Sequence, residues 1–74
     1  MTAFSYEEIT SATEHIIKEQ VKNSKKVSTS ALREMHLNFA TGAFFNWTWL
    51  TSGKQSPGDY DRLREMIVEA EQCQ

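Results

Sequence analysis

Residues Phe39–Leu50 read FATGAFFNWTWL, and the architecture turns on how this stretch folds. Read with a period of 3.6, Ala40, Ala43 with Phe44, Trp47 and Leu50 form one helical face. Read with a period of 2, Phe45, Trp47 and Trp49 alternate with Asn46 and Thr48, and aromatic residues favour strands. A strand needs a partner, and no second segment of this chain has strand character, so the reading taken is a helix. Five of the eight aromatic residues (Phe39, Phe44, Phe45, Trp47 and Trp49) fall in this stretch. Phe44 and Trp47 share one face. Phe45 and Trp49 stand four apart on another. Three outcomes are open: neighbours on both sides of the helix, an exposed surface for self-association or a partner, or stacking on bases of an open single strand.

Working outward, no Lys, Arg, Asp or Glu occurs in the 19 residues from Met35 to Gly53. That length spans a bilayer, but His36, Asn38, Thr41, Asn46, Thr48, Thr51 and Ser52 interrupt it too often for a membrane helix. Upstream, Ser5 and Glu8 have capping-box spacing, and Phe4 and Ile9 occupy the positions of a hydrophobic staple. Ile9, Ala12, Ile16 and Val21, widened by Ile17, continue a helix that fades at Asn23-Ser24. Ser28 then reads as the cap of a second helix, with Val27 and Leu32 as its staple. Asn38 reads as its stop, because asparagine tolerates the left-handed conformation. Downstream, Thr51–Gln55 is a turn. Ser56-Pro57-Gly58-Asp59 reads as a serine cap followed by proline at the first helical position. Tyr60, Leu63, Ile67 and Ala70, with Met66 beside them, form the stripe of the last helix. The expectation is one all-α domain over residues 1–74: a compact four-helix domain with helices near 5–23, 28–36, 39–51 and 57–71.

The chain has 74 residues, eight Lys+Arg and ten Asp+Glu. A domain this short buries only about 60% of its unfolded surface, and it has no room for a dinucleotide-binding fold. The net charge of −2 hides a pattern. Glu7, Glu8 and Glu14 make residues 1–17 acidic. Lys18, Lys22, Lys25, Lys26, Arg33 and Lys54 outweigh Glu19 and Glu34 in residues 18–54. Asp59, Asp61, Glu65, Glu69 and Glu71 outweigh Arg62 and Arg64 thereafter. A basic middle between acidic ends presents a local positive surface on an acidic protein, or simply a solvated lysine-rich helix end. The N-terminal residues lack a signal pattern, and the single Cys73 fits a reducing compartment, so a cytoplasmic location is expected.

Signals for catalysis are weak, and no enzyme, metal or cofactor is expected. His15 and Glu19 share a helical face, but two ligands do not make a zinc site. His36 reads as a helix-terminal cation and Asp59 with Asp61 as first-turn acids. Ser28, Thr29 and Ser30 read as caps. Cys73 has no basic neighbour to activate it.

A short helix, a tight turn, a second short helix and a supporting helix make a helix-turn-helix layout. Leu37-Asn38-Phe39 stands where such proteins keep an apolar residue, a turn residue and an apolar residue. Trp47 closes the second helix, and Gly53-Lys54-Gln55-Ser56-Pro57 leads into the next. On these residues, 27–67 resemble the helix-turn-helix domains of phage and plasmid regulators of the Cro and repressor type. Val27–Trp47 is also loosely similar to the DNA-binding end of plasmid partition regulators. The resemblance implies a small, dimeric transcriptional regulator on double-stranded DNA, with Lys25, Lys26 and Lys54 on phosphates and Thr41 and Asn46 toward bases. The second reading is a protein-binding module, an inhibitor or adaptor from a mobile element, docking through Phe45 and Trp49. A homodimer fits both the thin core and the surplus aromatics.

Overall fold

The computed structural model describes residues 3–72, which form three helices: α1 (Tyr6–Ser24), α2 (Ser30–Leu50) and α3 (Asp59–Gln72). The chain is all-α with no strand among the described residues, so residues 44–50 are helical as read.

α1 begins as its sequence dictates. The Ser5 side chain accepts from the Glu8 backbone N–H at 3.1 Å, and Glu8 Oε1 accepts from the Ser5 N–H at 3.0 Å. The capping box therefore satisfies two helix-end donors reciprocally. α2 begins at a different cap from the one expected. Thr29, rather than Ser28, accepts the Leu32 N–H, at 3.2 Å.

The four-helix expectation is corrected to three. α2 runs unbroken through Leu37-Asn38-Phe39, and among the described residues only glycines have a positive φ. Asparagine permits a left-handed stop but does not impose one. Its helix penalty is below about 1 kcal/mol, and the two residues around it outweigh that. Leu37 and Ala40 are both buried, which keeps this turn of helix against α1. His36 accordingly lies inside α2, where its Nδ1–H donates to Gln20 Oε1 at 2.8 Å.

The connection into α3 also differs. Ser56 and Pro57 precede the helix and do not open it. The Asp59 N–H donates to the Ser56 carbonyl, and Gly58 has φ +89°. Proline second and a left-handed glycine third define a type II turn. The first helical bond, from Arg62 N–H, goes to the Gly58 carbonyl.

α1 and α2 are antiparallel. Two links fix their register: Trp47 with Thr10, and His36 with Gln20. α3 lies against both. Ile17, Ala40, Phe44, Trp47, Leu63 and Ile67 form the core. Trp47 is fully buried, and its indole N–H donates to the buried Thr10 hydroxyl at 2.9 Å. The expected α1 stripe is thus rotated: Thr10, Thr13 and Ile17 face inward, while Ala12 and Ile16 face out. A threonine turned inward supplies the acceptor that buried tryptophan requires. Tyr6 ties the start of α1 to the α2–α3 connection. Its hydroxyl donates to Asp59 Oδ2 at 2.7 Å and accepts from the Ser56 N–H at 3.0 Å. Arg62 adds exposed ion pairs to Glu14 of α1 and to Asp59.

The molecule is flat. Its Cα extents are 40 × 27 × 15 Å, and its radius of gyration is 13.0 Å, against about 11 Å for a compact chain of this length. Two helix layers about 9 Å apart are about 14 Å thick between their Cα atoms. α1 and α2 make one layer and α3 the other. Among the described residues no helix covers the outer face of the α1–α2 pair.

Candidate interaction surface

α2 has more apolar circumference than two neighbours can cover. Leu37, Ala40, Phe44 and Trp47 meet α1 and α3. Trp49 points away from them, and Phe45 stands at the edge of the α2–α3 contact. Phe45 is 59% exposed and Trp49 82% exposed. Tryptophan is rarely so exposed on a structured helix, because a large apolar ring then faces water. Phe45 stands beside Phe44, ring centroids 6.1 Å apart. It closes one end of a groove between α2 and α3 lined by Thr41, Tyr60, Ile67 and Val68. Arg64 and Glu71 rim that groove. Trp49 lies one turn further on, beside Thr48 and Ser52. Of the outcomes considered for these two aromatics, placement between neighbours on both sides is excluded.

The residues read as nucleic-acid contacts are not brought together. Lys25 and Lys26 are exposed in the α1–α2 connection, whereas Lys54 is exposed at the far end of α2. The 21 residues of α2 separate them, a rise of roughly 30 Å. Thr41 and Asn46 are five positions apart, about 140° around the helix. Thr41 lies in the α2–α3 groove with its hydroxyl donating to the Leu37 carbonyl. Asn46 lies on the opposite side, in a groove with α1.

Two features of the surface escaped the sequence reading. Lys18 and Lys22 join Lys25 and Lys26 around a groove floored by Val21, Met66 and Ala70, with Glu69 on its edge. The three- and four-residue lysine spacing was the available signal. The second feature is an open apolar face on the α1–α2 layer. It was hidden because the expected break at Asn38 split the helix that carries it.

Among the described residues no cluster of three His, Cys, Asp or Glu is placed to hold a metal. His15 and Glu19 are both exposed. Cys73 lies outside the described residues. No described helix is long and apolar enough to cross a membrane. At the start of α1, hydrogen bonds from the Ser5 backbone and side chain hold the Glu8 carboxyl below its ordinary value. No family model, curated protein or solved structure matches the chain.

Proposed function

We propose that this protein is a non-enzymatic protein-binding module, an inhibitor or adaptor, that docks through Phe45 and Trp49 on α2. The supporting observation is the exposure of both rings, one turn apart, on an ordered helix. Clustered aromatics of this kind supply most of the binding energy at protein interfaces, because covering them releases water from large apolar rings. The α2–α3 groove beside Phe45 gives a partner's side chain somewhere to insert, and Arg64 and Glu71 at its rim give it polar contacts. The test is affinity capture with quantitative mass spectrometry, using the wild type and the Phe45→Ala/Trp49→Ala double variant. One stoichiometric partner is expected, lost with the double variant. Because both rings are exposed, the variant should keep the wild-type helical signal. Capture unchanged by the double substitution sinks the reading.

The four-lysine groove favours a second reading, duplex DNA held through its phosphates by Lys18, Lys22, Lys25 and Lys26. Four such contacts imply a slope of log affinity on log salt of about −3.5. A salt series on a short duplex discriminates the two. Absence of binding at low salt removes the DNA reading.

A further inference from the structure

We infer that the outer face of the α1–α2 layer is the interface of a symmetric homodimer. Phe4, Ile9, Ala12 and Ile16 from the α1 side and Asn46 and Leu50 from α2 line one groove there, with Glu8 at one end of it. Down α2, Phe39, Met35 and Leu32 continue the same face at spacings of four and three, the rule for neighbours on a helix. All three are exposed, as are Phe4, Ile16 and Leu50.

Area decides first. These six side chains are 39–69% exposed, which leaves on the order of 600 Å² of apolar surface in water, at about 200 Å² per large side chain. That is at the upper end of the largest patch on an ordinary monomer, about 300–600 Å². With Ile9, Ala12, Ala43 and Asn46 added, the face approaches the roughly 800 Å² per partner of a stable interface. Covering it also supplies the layer the flat monomer lacks.

Charge and shape identify the occupant. The α2 side of this face carries no ionised group from Met35 to Leu50. On the α1 side Glu8 lines the Phe4 end of the groove, and Glu19 lies further round the helix than Ile9, Ala12 and Ile16. A two-fold axis at mid-layer carries the copy's Glu8 to the opposite end of the face, so like charges do not meet in an isologous contact. Its large and small residues alternate along the layer. A two-fold axis in the interface plane, crossing the helices at the level of Gly42 and Ala43, reverses each helix over its copy. Phe39 of each chain then seats against the Ala12–Asn46 end of the other's groove, large against small. Gly42, exposed in mid-helix with open space around its Cα, keeps the crossing level low.

Phe45 and Trp49 line other grooves than this one, so variants at each place test the two readings apart. The test is sedimentation equilibrium of the full chain from about 1 to 200 µM, with circular dichroism on each variant. The wild type is expected at twice its 8.5 kDa monomer mass at the upper concentrations. Phe39→Glu and Ile16→Glu should each weaken association at least ~30-fold, the effect of losing one central contact. Both side chains are about half exposed in the monomer, so the helical signal should persist. Phe45→Ala/Trp49→Ala should leave the dimer intact. A wild type monomeric at 200 µM overturns the inference. So does a dimer that survives both glutamate substitutions, or one lost only with Phe45 and Trp49.

Discussion

The bond between Trp47 and Thr10 offers a quantitative test of how α1 sits on α2. Trp47 is fully buried, Thr10 is 6% exposed, and their bond is 2.9 Å long. Thr10→Val keeps the shape of the side chain and removes the acceptor. The indole N–H is then left buried without a partner, at a cost of about 1–3 kcal/mol. Burying a methyl in place of the hydroxyl offsets up to about 0.8 kcal/mol of that. The net loss is about 0.2–2.2 kcal/mol, centred near ~1 kcal/mol, out of a total near 4–11 kcal/mol for a chain of this length. For a small domain each kcal/mol moves the melting temperature by about 4–8 °C, so Tm should fall by about that amount. Thermal melts followed by circular dichroism, at one fixed concentration, give the value. A double-mutant cycle isolates the bond. In a Trp47→Phe background the donor is already gone, so Thr10→Val should cost little. A Tm shift under about 2 °C, or an equal cost in both backgrounds, would falsify the register described for α1 and α2.

Four further outcomes follow from other parts of the fold. Ser5→Ala removes the α1 cap and should cost about 1 kcal/mol by urea denaturation. Because Glu8 is held below its ordinary value in the folded state, its contribution is present above the unfolded carboxyl pKa and is lost as pH falls through the folded one. Glu8→Gln should therefore flatten the acid side of the Tm–pH profile below about pH 4.5, and an unchanged profile would argue against the capping box. Gly42→Ala meets nothing within 4 Å in the monomer and should stabilise it by about 0.5–1 kcal/mol. Melts at low micromolar concentration check this, and destabilisation there would place another group against Gly42. Iodide should quench the exposed Trp49 and spare the buried Trp47. Trp49→Phe should then remove most of the quenchable emission.

The tests separate what local sequence commands from what packing decides. The α1 start was legible because a capping box acts within four residues. The division of α2 into a Phe44–Trp47 face and a Phe45–Trp49 face was legible because helical periodicity sorts them whatever surrounds the helix; which of the two faces out was not. The break at Asn38 was misjudged because asparagine's conformational preference is weak and burial of Leu37 and Ala40 overrides it. The start of α3 was misjudged for a different reason. Pro57-Gly58 suits both a helix entry and a type II turn, and the turn brings Asp59 and Ser56 to the Tyr6 hydroxyl.

The same division holds for the surfaces. Composition and period, both counted along the chain, are enough to imply an all-helical chain with more aromatic side chain than one small core absorbs, and a basic middle between acidic ends. Which side of each helix faces out is set by packing. That choice depends on where the third helix lies, and it lies on one side. Thr10 turned inward to meet Trp47, Ile16 turned outward with Phe39, and Lys18 and Lys22 came beside Lys25 and Lys26. Each of these placements is a rotation of a helix about its own axis. Periodicity defines the faces of a helix but not which face a neighbour will cover.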